Sequence, residues 1–311
     1  MKIQTVSGLI DEGDLGFTLI HEHLLTNPPK VFSGKDPDLI MDDVDKAIQE
    51  LRRFAEAGGK TLVEATPINY GRDVRGLTEI ARRVPEVNIV ASTGFYVAEA
   101  FDQRFSEMRI DELAELMIRE IREGMDGTSS KAGVIKVAAG YFRIHPLEEK
   151  ALRAAARAHL ETGAPIQVHT THGTMALEIS EILEEEGAEL RKVLLLHMDD
   201  NMDKWLTVKV LERGVNICFD KFARVKYRIP EEWRIKFLED LIKEGFESQL
   251  MISMDAGRRS YYKSYGGGPG LEYLPKVIVP RLLETGWDEK LVKRIFFENP
   301  REFLKFSPRK R

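Results

Sequence analysis

The stretch Phe17-Thr18-Leu19-Ile20-His21-Glu22-His23 joins an apolar run to two histidines spaced two residues apart. A β-strand turns successive side chains to opposite faces, so residues i and i+2 share one. Two imidazoles at that spacing, where a strand runs out into a loop, are placed to grip one metal ion while Glu22 points away. The competing reading is a polar strand end that happens to carry two histidines. The remainder of the chain decides between them.

Outward from this segment the pattern repeats. Residues 3–16 read as a hairpin with its turn at Asp11-Glu12-Gly13-Asp14. Apolar or β-branched runs follow at 17–21, 60–66, 88–93, 133–138, 165–170, 192–197, 215–219 and 250–255. Between them, charged stretches such as 43–57, 109–125, 146–162, 203–213 and 231–244 carry apolar residues at helical spacing. Several of these helices close on glycine, at Gly58, Gly163, Gly214 and Gly245, the residue that accepts a left-handed helix end. Strands alternating with helices mean a parallel sheet, and eight repeats favour closure into an α/β (β/α)₈ TIM barrel over an open sheet. No linker or composition break divides residues 1–311, so the expectation is a single barrel domain with a short N-terminal β-hairpin (1–16) and a frayed tail (305–311).

Composition narrows the partners. A net charge of −5 argues against a general nucleic-acid binder, and no run approaches the length of a membrane span. The N-terminus lacks the apolar core of a signal peptide, and a lone cysteine, Cys218, excludes an intrachain disulfide. A cytoplasmic protein acting on a small molecule is expected. Cys218 lies in an apolar run and reads as a buried, inert thiol.

Barrel active sites form at the C-terminal ends of the strands. His21 and His23 end the first barrel strand, His169 the fifth, His197 the sixth and Asp255 the eighth. A lone histidine in any of these places would read as a hydrogen-bonded core residue; four together make that improbable. His145 and His159, in or beside a helix, read as surface residues, and His172 as a loop residue. Lys136 lies in the fourth strand between apolar neighbours. A lysine facing a barrel interior must find an anion or lose its charge, since burying an unpaired ammonium is costly. A neutral amine can react with CO₂ to give a carbamate whose two oxygens bridge two cations. The alternative is a lysine snorkelling to the rim.

The ordered set His21-X-His23, Lys136, His169, His197 and Asp255 resembles the phosphotriesterase family of the amidohydrolase superfamily. The likeness extends to Val6-Ser7-Gly8-Leu9-Ile10, to Leu15-Gly16 and to Glu298-Asn299-Pro300, so it covers nearly the whole chain. It implies a binuclear centre in which His21, His23 and Asp255 hold one ion, His169 and His197 the other, and carboxylated Lys136 bridges both. Zinc, manganese, cobalt and iron all suit such ligands, with zinc the leading expectation. The implied chemistry is hydrolysis by metal-activated hydroxide, with Asp255 as the catalytic proton acceptor. Tyr96, in Gly94-Phe95-Tyr96-Val97, resembles a tyrosine that lies near metals and substrate in the family's lactonases. Family habit points to a homodimer.

The substrate is read from two basic segments, residues 221–230 (KFARVKYRIP) and 256–266 (AGRRSYYKSYG), which contain no acidic residue. Barrel loops seven and eight often bind phosphate, and guanidinium groups hold it with paired hydrogen bonds. The competing reading is a solvated rim paired with acidic helices. The segment Asp255-Ala256-Gly257-Arg258-Arg259-Ser260-Tyr261 resembles the family branch that opens phosphorylated sugar lactones. On that likeness Lys226, Arg258 and Tyr261 would hold the phosphate, with Arg259 interchangeable with Arg258. Gly266-Gly267-Gly268-Pro269-Gly270 reads as a flexible loop near the mouth. An organophosphate triesterase or acyl-homoserine lactonase acting on neutral esters, a non-catalytic metal-binding protein, and a one-metal deaminase stand as alternatives.

Overall fold

The computed structural model describes residues 2–224 and 229–307. Its main sheet is eight-stranded and parallel, built from β3 (Phe17–Glu22), β4 (Gly59–Glu64), β5 (Asn88–Gly94), β6 (Val134–Ala139), β7 (Ile166–Thr170), β8 (Val193–Leu196), β9 (Asn216–Phe219) and β10 (Leu250–Ile252). These strands lie in sequence order and curl into a barrel. Among the described residues, the helices around it include α1 (Val44–Glu56), α2 (Val74–Arg83), α3 (Ile110–Arg122), α4 (Pro146–Thr162), α5 (Ala176–Glu185), α6 (Lys204–Glu212), α7 (Glu231–Lys243) and α8 (Val279–Glu284). The strand and helix runs read from the sequence fall on these elements.

Strand alternation sorts the core into two layers. Ile20, Val63, Val90, Val134, Leu194, Leu196, Cys218 and Met251 fill the barrel interior, with Ile3, Leu15, Phe303 and Leu304 in the same cluster. Their neighbours Leu19, Leu62, Ile89, Ile135, Val137, Leu195, Ile217 and Phe219 face the helices. Each such buried side chain contributes about 1.5–3 kcal/mol relative to exposure. Cys218 is a buried, free thiol.

The hairpin differs from the sequence reading. Strands β1 (Lys2–Thr5) and β2 (Gly8–Asp11) pair antiparallel with Thr5 opposite Gly8, so the turn is Val6-Ser7. Thr5 Oγ1 donates to Gly8 O and accepts from Ser7 N–H, and Gly8 takes a φ of 120° that disfavours a side chain. Glu12–Asp14, where the turn was expected, is a 3₁₀ turn beyond the hairpin. The hairpin docks against the barrel through Val6 N–H to Ile89 O (2.9 Å) and Ser130 Oγ–H to Val6 O (2.9 Å).

The barrel closes where β3 meets the end of β10. Asp255 N–H donates to His21 O (3.0 Å) and His21 N–H to Ser253 Oγ (3.0 Å). Glu22 clasps the same junction, accepting from Ser253 Oγ (2.7 Å), Met254 N (2.8 Å) and Ala256 N (2.7 Å). Burial pushes the Glu22 carboxyl up to about 8.

Candidate active site

Strict alternation from inward-facing Ile20 would send His21 outward. The register prevents it: β3 advances from Leu19 to Glu22 while β4 advances only from Leu62 to Glu64. One extra residue on a strand is a β-bulge, a device that re-aims side chains beside sites. The bulge brings His21 to the same interior as Lys136, whose Nζ lies 3.0 Å from His21 Nε2. Gly94 lets β5 approach at this level, because a side chain there would strike Lys136 O at 2.1 Å.

His21, His23, Lys136, His169, His197 and Asp255 all line one cavity of about 280 Å³ at the C-terminal ends of the strands. Ligand atoms of His21, His23 and Asp255 lie within 4.8 Å of one another, a spacing one cation can span. Asp255 Oδ1 is 3.7 Å from His21 Nε2 and 3.3 Å from His23 Nε2. On the other side, His197 Nε2 is 2.8 Å from His169 Nδ1.

The outward ring nitrogens are all engaged. Asp220 bridges two histidines, with Oδ2 at 2.8 Å from His21 Nδ1 and Oδ1 at 2.7 Å from His197 Nδ1. His23 Nδ1 meets Thr66 Oγ1 at 2.8 Å, and Thr66 donates onward to Glu64 Oε1 at 2.5 Å. His169 turns Nε2 to Thr171 Oγ1 (3.2 Å) and Tyr96 Oη (3.4 Å). Such bonds fix which nitrogen of each ring faces the cavity. Burial holds all four histidines below their usual range, His21 and His169 well below it, so the rings are neutral donors at pH 7. Burial likewise lowers Lys136 to about 8, within reach of the neutral amine that forms a carbamate. Neutral imidazoles, a carboxylate and an accessible amine, all converging, are a donor set suited to divalent cations.

Asp220 escaped the sequence reading although it follows Phe219 at the end of a barrel strand. Burial opposes its ionisation, yet His197, Lys221 and His21 hold its carboxyl well below the usual range. Its own position is fixed by Asp199, which accepts from the backbone N–H groups of Asp220 (3.2 Å) and Lys221 (3.0 Å). Buried Arg234 pairs with Asp199 at 2.8 Å.

Two cations hold Asp255 from its other oxygen. Lys221 Nζ is 2.7 Å and Arg224 Nη2 2.8 Å from Oδ2. Burial works against ionisation of Asp255, but these partners keep the carboxyl well below the usual range. The mouth carries Phe32, Leu39, Tyr70, Tyr96, Arg224 and Arg258. Tyr261 lies under Arg224, 4.9 Å from guanidinium carbon to ring centre. Arg258 pairs with Asp36, and Arg259 with Asp42 at 3.1 Å. Arg258 lines the cavity and Arg259 is not among its lining residues, which separates the two neighbours. Lys226 lies outside the described residues.

Three further sequence readings change. His159 is buried rather than at the surface, 2.8 Å from Ala164 O through Nδ1. It shares the Ala151–Ala155–Ala158 face of α4, a periodicity the sequence already held. His145 is the half-buried N-cap of α4, accepting from Leu147 N–H, while Glu148 accepts from the His145 backbone. The Gly266–Gly270 run is a hydrogen-bonded turn, with Gly266, Gly267, Gly268 and Gly270 donating to Lys263, Tyr262, Ser260 and Tyr261. His172 is an exposed loop residue paired with Asp200.

Comparison with known proteins agrees with this geometry. The model of the phosphotriesterase family matches residues 1–304. A phospho-furanose lactonase from Mycoplasmopsis agalactiae is 38% identical, covering 98% of this chain and 92% of the relative. The crystal structure of a lactonase from Listeria monocytogenes superposes with a TM-score of 0.94 at 39% identity, covering 99% of this chain and 100% of that one. That of the phosphotriesterase homology protein from Escherichia coli, complexed with phosphate in its active site, gives 0.88 at 34% identity over 95% and 100%. With a family model spanning nearly every residue and a relative above 30% identity over 92% of its length, the chain belongs to the phosphotriesterase family and is a metal-dependent hydrolase.

Proposed function

We propose that the protein opens the ring of a phosphorylated sugar lactone, using two divalent ions held by His21, His23, His169, His197 and Asp255 and bridged by carboxylated Lys136. The observation that carries this reading is one cavity with two chemically distinct ends. Its floor holds neutral imidazoles with Lys136 and Asp255, and its mouth holds Arg258 beside aromatic walls. The relatives named as lactonases support the lactone, and the one named for a phospho-furanose supports the phosphate.

Bound there, two divalent ions would supply Lewis acidity toward the carbonyl oxygen and acidify an adjacent water. The chain's own groups handle binding and protons. Asp220 and Thr66 keep three imidazoles turned inward, so no reorientation is required when a ligand enters. Asp255, kept ionised by Lys221 and Arg224, is in the form that accepts a proton as water adds to the lactone carbonyl. The proton passes to the ring oxygen as the carbon–oxygen bond breaks, giving one hydroxy acid per water consumed. Tyr96 packs its ring against His169, 4.9 Å between centres, with its hydroxyl 3.4 Å from His169 Nε2. Arg258 at the mouth, joined on the sequence resemblance by Tyr261 and Lys226, would receive the phosphate, so their binding energy serves capture and positioning.

The test compares a phosphorylated lactone with its unphosphorylated counterpart by proton release at fixed metal. Arg258→Ala and Lys226→Ala should each lower the phosphorylated-to-neutral ratio of kcat/KM by roughly ten- to a hundredfold, the loss of a charge-assisted bond. An unchanged ratio in both variants would defeat the phosphate reading and leave the hydrolase standing.

A further inference from the structure

We propose that Asp36 tunes anion affinity: its carboxylate holds the guanidinium of Arg258 and so lowers the affinity of the cavity mouth for every anion, most of all for dianions. This rests on the reading that Arg258 receives the phosphate of the substrate.

The argument begins with how two loops meet over the cavity. The segment after β3 supplies Asp36, Asp38 and Asp42, and the segment after β10 supplies Arg258, Arg259 and Ser260. Asp38 accepts from the Ser260 N–H (2.9 Å) and hydroxyl (2.6 Å), with Oδ2 also 3.8 Å from Arg258 Nη1, and Asp42 pairs with Arg259. These contacts anchor one loop to the other. Asp36 differs. Among the described residues its side chain meets the Asp38 N–H of its own turn (3.3 Å) and Arg258 Nη1. Arg258 is the member of the set that lines the cavity, in the company of Phe32 and Leu39 from the Asp36 side.

Asp36, itself not among the residues that line the cavity, therefore holds the guanidinium that an incoming anion would use. The pair is open to water, with side-chain exposures of 33% for Arg258 and 36% for Asp36, so exchange does not require dismantling the core. A half-exposed ion pair is weak, whereas phosphate offers a guanidinium two parallel hydrogen bonds and a second negative charge. A phosphate dianion can thus displace or share the seat. A monoanionic carboxylate brings the same chemistry that Asp36 already supplies and gains little by exchange. A neutral group leaves the pair intact. The cost is that Asp36 repels every anion that enters, phosphate included.

Asp36→Asn removes the charge at nearly constant shape; the Asp38 N–H and Arg258 meet different oxygens of Asp36, so the single amide oxygen keeps one of the two bonds. The metal-loaded full chain would be assayed for competitive inhibition by ribose 5-phosphate, a dianion, and by glucuronate, a monoanion. In D36N the dianion should bind roughly three- to tenfold more tightly, with the gain shrinking at high salt. Glucuronate should gain less, because the charge removed repels one negative charge on glucuronate and two on the dianion; an equal or larger gain for glucuronate would overturn the charge reading. Unchanged or weaker binding of both would overturn the role of Asp36. Asp36→Ser, which also keeps an acceptor for the turn, substitutes if D36N lowers the melting temperature. Arg258→Ala distinguishes the two levels of inference. If it leaves ribose 5-phosphate inhibition unchanged, the phosphate reading fails and the Asp36 proposal with it. If it weakens inhibition while D36N tightens nothing, the proposal alone falls.

Discussion

Replacing Asp220 by asparagine tests whether one carboxylate organises both halves of the centre. The substitution keeps volume and removes one acceptor. In the structure Oδ2 receives two donors, the His21 ring at 2.8 Å and the His197 backbone N–H at 3.2 Å, while Oδ1 receives the His197 ring at 2.7 Å with Lys221 Nζ 3.9 Å away. The single oxygen of asparagine therefore settles in the Oδ2 seat, and its NH₂ faces the His197 ring. Donor then meets donor unless His197 moves its proton to Nε2, the nitrogen that faces the cavity. The bond lost is charge-assisted and buried, worth about 1.5–3 kcal/mol, or roughly ten- to a hundredfold in affinity. The loss should fall on the His169–His197 subsite, with the His21–His23–Asp255 subsite affected less. Titration against competing chelators, with metal content measured at each step, resolves two affinities. Activity should return at excess metal. Two wild-type affinities, or selective loss at the His21 side, would refute the assignment of Asp220 as the shared orienting group.

Other outcomes follow from the same site. Protein purified without chelator should contain about two equivalents of divalent metal with Lys136 carboxylated, checked by elemental analysis and intact mass; one ion at full occupancy with an unmodified lysine contradicts the bridge. Asp255→Asn and His169→Asn should each abolish most hydrolysis while circular dichroism stays that of the parent; near-normal turnover with metal retained would refute the mechanism. In the metal-free chain, Lys136 falls from 10.5 in the open chain to about 8 on folding, so its stabilising contribution is present above 10.5 and lost as pH drops through 8. The folded state binds fewer protons in that window, and a shift of this size is worth about 3 kcal/mol. Lys136→Met should raise the stability of metal-free protein at pH 7 and flatten its rise between pH 8 and 10, read by denaturant melts across pH.

Much of this was legible because barrel chemistry collects at strand ends. A histidine or aspartate closing an apolar run is visible without coordinates, as at His169, His197 and Asp255. Asp220 sits in the same kind of place and went unread because it supplies no cavity-facing donor; it acts through its neighbours. The facing of His21 had a hidden premise. Alternation alone would have set it opposite Ile20, and only the bulge against β4 reconciles both pointing inward. The hairpin turn was misplaced because Asp-Glu-Gly-Asp advertises a turn, while the actual one at Val6-Ser7 is secured by the Thr5 hydroxyl. Ion pairs across loops, such as Arg258 with Asp36, join residues more than two hundred positions apart, and local pattern carries no trace of them.

The Glu22 clasp means that the lip where the barrel joins itself is also the lip where it does chemistry. His21 and His23 flank the very residue that ties the last strand to the first, so loss of an ion held by them should loosen the seam beside Glu22 first. Chelation should raise hydrogen exchange first at Ser253–Ala256, before the opposite wall around β6 and β7 responds. Circular permutants cut at this lip would forfeit catalysis even if they folded, whereas cuts between helices on the far wall would spare it. The first and last strands are joined by protein hydrogen bonds beside the two histidines of the first strand.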